Sequence, residues 1–134
     1  DAFWALVRQG IGHESRVLSQ DIDWTAIKAL ADTHGLSAIV LDGVNGLRGL
    51  SSSAVQGPAK QFLLQWIGEV MQSYEGRYAA FEKAIGSLAG FYNRHGYKMM
   101  VVKGYASSLD WPNPKHRPCG DLDIWQFGKQ KSQH

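Results

Sequence analysis

Between Pro58 and Gly96, apolar side chains recur at steps of three or four residues: Leu63, Ile67, Val70, Tyr74, Tyr78, Phe81, Ile85, Leu88 and Tyr92. A helix brings such positions onto one face. A helix of about 38 residues would be about 57 Å long, more than the width of an ordinary single domain. The spacing therefore predicts one long helix with a bend, or a helix pair, over 58–96. Pro58 suits a first helical turn, where its missing N–H is no loss. Gly68, Gly76, Gly86 and Gly90 lie inside the segment. Each costs about 1 kcal/mol relative to Ala, a cost that close approach of other helices would offset. The stripe is expected to pack on the N-terminal helices; the sharper alternative is a dimer seam.

The flanking segments read in order. Residues 2–7 start a short helix that ends near Gly10 or Gly12. Asp21 or Asp23 can cap a second helix, in which Trp24, Ile27, Leu30 and Ala31 share one face and His34-Gly35 marks the stop. Residues 36–47 form a third apolar-rich helix, weakened by Gly43 and Gly46. Residues 49–57, with three consecutive serines, read as a loop. After Gly96 the pattern changes. Residues 97–103 are nearly apolar throughout, which predicts a central strand. Residues 105–111 suit a short helix, and Pro112, Pro114 and Pro118 exclude regular structure from the loop that follows. Residues 121–127 make a second strand. The class is α+β: a mostly helical N-terminal part, then the first strands of a mixed sheet, in three segments, 1–57, 58–96 and 97–134.

Composition limits the function more by exclusion. Apolar residues make up 44%, enough for a core, and a net charge of +2 implies no nucleic-acid or membrane partner by itself. No apolar run approaches the ~20 residues that span a bilayer. The single cysteine, Cys119, excludes an internal disulfide framework and fits a reducing compartment, so a cytoplasmic location is expected. The start at Asp1 and the polar residues 128–134 look like cuts in a longer protein.

Chemistry concentrates near the C-terminal end. On a strand, Asp121 and Asp123 point to one face while Leu122 and Ile124 point to the other. A hard cation such as Mg²⁺ takes one or two carboxylates together with substrate phosphates. Upstream, Val102-Lys103-Gly104 leaves a strand and enters a short helix, where glycine allows close backbone approach and free N–H groups face a phosphate. Lys103 and Arg117 add positive charge; Ser107 and Ser108 add hydroxyls. A phosphate cradle beside a carboxylate pair is what metal-assisted nucleotidyl transfer requires.

The run Val102-Lys103-Gly104, then Trp111-Pro112-Asn113-Pro114, then Arg117 and Gly120-Asp121-Leu122-Asp123-Ile124, resembles the uncharacterised nucleotidyltransferase family of the polymerase-beta superfamily. The toxin nucleotidyltransferases of bacterial abortive-infection systems look similar in this stretch, which covers roughly residues 97–127, about a quarter of the chain. The resemblance implies a nucleotidyltransferase-type mixed sheet, an NTP substrate, and Mg²⁺ (or Mn²⁺) on Asp121 and Asp123. Lys103, Gly104, Ser107, Ser108 and Arg117 would meet the nucleotide. It leaves the acceptor hydroxyl open among protein, RNA and small molecule. Two departures stand out. Tyr105 replaces the serine that usually follows the glycine, and nothing after Phe127 supplies the third carboxylate the superfamily uses. The chain then carries the metal pair without the whole active site and is expected to be inactive alone.

Plainer roles compete. Surface charge on an edge strand is the lesser reading of Asp121 and Asp123 beside the surrounding motif, while Lys103 reads equally as a solvated strand end and Arg117 as a loop brace pairing with Asp121. The five histidines show no metal-ligand spacing; His34 and His95 each precede a glycine and suit helix ends. A Cys119 thiol mechanism lacks a partner histidine other than His116. The tryptophans read as core, with only Trp111 and Trp125 near the site. A different class of function also fits: a degenerate, self-associating helical interaction module whose exposed strand edges pair with another copy.

Overall fold

The computed structural model describes residues 1–14, 21–48 and 56–128. Helix α1 (Ala2–Gly10) is capped by Asp1, whose Oδ1 accepts from the Phe3 amide. Helix α2 (Trp24–Thr33) is capped by Asp23, which accepts from the Ala26 amide at 3.0 Å. It ends at His34, with Gly35 in the left-handed region (φ 66°) that glycine adopts without strain. Helix α3 (Ser37–Arg48) follows directly.

α1 and α3 cross so closely that two glycines are obligatory. A Cβ on Gly10 would lie 2.0 Å from the Ile39 carbonyl oxygen, and one on Gly43 would lie 2.1 Å from that of Leu6. Gly43, expected to weaken its helix, instead permits, with Gly10, the close crossing of α1 and α3. The core is built here: Phe3 and Leu6 of α1, Ala31 of α2, and Ala38, Val40, Leu41, Val44 and Leu47 of α3 pack on Leu63, Trp66 and Val70. Trp66 is fully buried, and its indole N–H donates to the Ser37 hydroxyl (2.9 Å) and carbonyl (3.2 Å). Burying an indole without a partner for its N–H would be costly.

The long apolar segment is one helical path in three parts: α4 (Lys60–Val70), a π-helical turn (Met71–Glu75) and α5 (Gly76–Arg94). The residues at both joins keep right-handed helical dihedrals, so the chain neither breaks nor forms a helix pair. The widened turn shifts the phase of the stripe. Before it, Leu63, Trp66 and Val70 are buried; beyond it only Tyr78 is, while Phe81, Ile85, Leu88 and Tyr92 are half-buried. The glycine rationale fails for this segment: a Cβ on Gly68 or Gly86 would meet nothing within 4 Å.

α5 ends at His95 and packs on strand β1 (Lys98–Val102), which pairs antiparallel with β2 (Asp123–Phe127). The register sets Val102 opposite Asp123 and Met100 opposite Trp125. The class is α+β. Among the described residues the sheet has these two strands only, and β1 is not central: Met100 is 51% exposed and Trp125 63%. Between the strands lie a one-turn helix α6 (Gly104–Ser108) and, in the proline-rich loop, a 3₁₀ turn (Pro114–His116). That turn corrects the expectation of an unstructured loop, since Pro114 occupies its first position, where no amide is needed. The loop expected at 49–57 lies outside the described residues except Gln56 and Gly57. No helix among the described residues is long and apolar enough to cross a membrane.

Candidate functional site

The turn after β1 is strained. Lys103 has φ 56° and ψ −129° and is the one non-glycine residue with positive φ among the described residues. Such a conformation costs on the order of 1–3 kcal/mol and persists where surrounding structure enforces it. It turns the chain sharply from β1 into α6, and the Ser107 amide closes the turn on the Lys103 carbonyl at 2.7 Å. Gly104 follows. A Cβ there would meet only ordinary contacts, at 3.5 Å from Arg117 Nη1 and 3.9 Å from the Asp121 carbonyl. The space beside the glycine is thus lined, without crowding, by the loop that carries Arg117 and Asp121.

The carboxylates arrive from the other strand. β2 begins at Asp123, so the strand alternation expected to align both carboxylates covers only Asp123; Asp121 lies two residues before the strand and is exposed. Pairing with Val102 sets Asp123 beside the turn, and Lys103 Nζ stands 3.9 Å from its Oδ1. Both side chains are largely solvated (75% and 42% exposed), so the ion pair adds little stability. Asp121 has no hydrogen bond or ion pair among the described residues.

Arg117 does not pair with Asp121, contrary to the brace expected from sequence. Its Nη1 donates to the carbonyls of Gly104 and Pro118, each at 3.1 Å, and approaches Cys119 Sγ at 3.9 Å. Its guanidinium lies over the Trp111 ring, and its Nε is buried without a partner. The guanidinium thus ties the Gly104 turn to the loop that delivers Asp121. From α5, Arg77 Nη2 donates to the Gly120 carbonyl at 3.0 Å and steadies the same segment.

The two candidate hydroxyls part company. Ser107 is exposed. Ser108 is fully buried, bonded to the Tyr78 hydroxyl at 2.9 Å and to the Tyr105 carbonyl, so it is not presented to a phosphate over the turn. Tyr105, in the usual serine position, stacks on Tyr78 and donates to Glu82. Burial, then the neighbouring Tyr78 and the Glu82 carboxylate, push its hydroxyl pKa up to about 12.

One residue gains a role that sequence reasoning missed. His116 is buried, with Nδ1 2.7 Å from Asp42 Oδ2 and Nε2 2.9 Å from Glu75 Oε1. Both ring nitrogens face carboxylates, which favours the doubly protonated imidazolium. Burial opposes the charge, but the bonds to Asp42 and Glu75 outweigh it and raise the pKa above the usual histidine value. His116 thereby clamps the loop to α3 and to the π turn. With the ring so committed, Cys119 has no imidazole partner among the described residues; its buried thiol faces the Arg117 carbonyl.

Near the Gly104 turn, whose carbonyl Arg117 holds, a cleft of about 290 Å³ opens between the loop and the π turn with the start of α5. Tyr74, Arg77 and Tyr78 line one side, Arg117, Pro118 and Cys119 the other. No group of three or more His, Cys, Asp or Glu among the described residues is arranged to hold a metal ion. The carboxylates beside the turn are those of Asp121, exposed, and Asp123, partly exposed; oxygen donors of this kind suit a hard cation shared with phosphates rather than one caged by protein.

A family model described as uncharacterised nucleotidyltransferase matches residues 20–126. No curated protein and no solved structure matches the chain.

Proposed function

We propose that the chain, which belongs to the uncharacterised nucleotidyltransferase family, holds the nucleotide and its metal for transfer of a nucleoside monophosphate from an NTP to an acceptor hydroxyl. The observation that carries this reading is the juxtaposition of the strained Lys103-Gly104 turn with Asp123, set by the Val102–Asp123 pairing. Asp121 and Asp123 would hold Mg²⁺ (or Mn²⁺), which when bound neutralises triphosphate charge and makes the attacking hydroxyl more acidic. Lys103 supplies a mobile positive charge to the phosphates. Gly104 lets them approach the backbone, and Ser107 offers the exposed hydroxyl in place of Ser108. Arg117 holds the turn and the Asp121 loop in register. In the reaction the acceptor oxygen bonds to the α-phosphorus, pyrophosphate leaves, and the hydroxyl proton is released.

Calorimetric titration of ATP, GTP, CTP and UTP, with Mg²⁺ and with chelator, tests this. Mg²⁺-dependent binding that disappears in Asp121→Asn/Asp123→Asn is the expected result; binding unchanged in that variant refutes the reading.

A second reading, the self-associating module, is favoured by one observation: Met100, Trp125 and Phe127 lie exposed on the small sheet. Sedimentation at micromolar concentrations tests it, and a monomer throughout counts against it.

A further inference from the structure

The cleft near the turn has charge that the protein does not balance. Its lining includes Arg77 and Arg117, and no carboxylate lines it among the described residues. Guanidiniums converging on a recess favour an anion, which they bind through charge-assisted, often bidentate hydrogen bonds. Arg117 adds a second observation. Its Nε is the one buried side-chain nitrogen or oxygen among the described residues without a hydrogen-bond partner. Such orphans are rare in native structures and mark a guanidinium whose hydrogen bonding is incomplete within the described residues.

The cleft also adjoins the proposed nucleotide site. Arg77 holds the carbonyl of Gly120, directly before Asp121, and Arg117 holds that of Gly104. Each of the two cleft arginines thus bonds a backbone carbonyl at or next to a residue of the proposed site. Tyr74 and Tyr78 contribute aromatic surface to the lining, and a volume near 290 Å³ restricts the occupant to a small molecule.

The geometry points to this cleft as the acceptor subsite: it takes a small molecule bearing a phosphate or carboxylate, with the anionic group held by Arg77 and Arg117. The acceptor role rests on the nucleotidyl-transfer reading; the anion site rests on the cleft alone.

The Arg117 Nε–H resonance in ¹H–¹⁵N spectra, on a side chain that lines the cleft, reports its occupancy. Ribose 5-phosphate and citrate, titrated separately into the full chain in chelator, serve as probes, and the responding probe identifies the anionic group. The expected result is a saturable downfield shift of that resonance. Affinity falls about tenfold in Arg77→Gln, as for loss of one charge-assisted hydrogen bond, and less in Arg77→Lys. It is unchanged in Lys83→Gln, an exposed charge outside the cleft. No shift with either probe, or an equal loss in Lys83→Gln, overturns the anion site.

The titration is then repeated with Mg²⁺ and a non-hydrolysable ATP analogue. Simultaneous binding supports the acceptor role. Displacement of the probe assigns the cleft to the nucleotide's own phosphates and overturns it. Analogue binding without any probe shift refutes the subsite alone. Probe binding without analogue binding refutes the nucleotidyl-transfer reading, and the acceptor role with it, while the anion site stands.

Discussion

Replacing His116 by Gln should cost the protein stability in a pH-dependent way. The imidazole bridges Asp42 and Glu75, whose side chains are only 19% and 31% exposed. Removing it breaks two charge-assisted hydrogen bonds, each worth about 1.5–3 kcal/mol in favourable cases, and leaves two shielded carboxylates near each other. Gln restores part of the hydrogen bonding without the charge, and partial exposure weakens both bonds, so a net loss of about 2 kcal/mol is expected. For a domain of this size that is a fall in Tm of about 6–8 °C. The sign with pH follows from the raised pKa of His116. The folded state binds the proton more tightly than the unfolded state, so the stabilisation is complete below the unfolded value of about 6.5 and is lost as pH rises through the folded value. Urea denaturation of both proteins at about pH 6 and about pH 9 measures the difference. The gap between them should be largest at the acid end and shrink toward the alkaline end. A gap that stays constant, or that widens with pH, would refute the imidazolium bridge.

Other perturbations separate the remaining arguments. Gly43→Ala places a Cβ 2.1 Å from the Leu6 carbonyl and should destabilise by about 3 kcal/mol in denaturant titration. Gly86→Ala meets open space in a helix interior and should stabilise by about 0.5–1 kcal/mol. Lys103→Gly relieves the positive φ and should raise stability by about 1 kcal/mol while weakening Mg²⁺-dependent NTP binding; a variant that loses stability would show that the turn is unstrained. Trp66→Phe forfeits the bonds to Ser37 and should cost about 2 kcal/mol in the same titration.

Elements with local causes were legible in the sequence. Asp23 before an apolar helical face gave the start of α2, and His34-Gly35 gave its stop, because capping is settled within a few residues. The strand-to-turn passage at Val102-Lys103-Gly104 was visible for the same reason. Features fixed by distant partners were not. His116 meets residues 41 and 74 positions away, and no local pattern announces such a bridge. The π turn is an alternative backbone bonding pattern without a side-chain signature, so the stripe was read in one phase throughout. The stripe runs through Ile67 and leaves out Trp66, expected in the core with the other tryptophans; Trp66 is fully buried and Ile67 only partly so. The aligned carboxylates of Asp121 and Asp123 were an overextension of strand alternation, since β2 begins two residues later than the pattern implied.

The most direct test of the central claim is paramagnetic broadening by Mn²⁺ in ¹H–¹⁵N spectra with an NTP present. The account predicts broadening centred on Lys103, Gly104, Asp121 and Asp123 that vanishes in Asp121→Asn/Asp123→Asn. Broadening centred elsewhere, for instance on Asp42 and Glu75, or none at all, would contradict it.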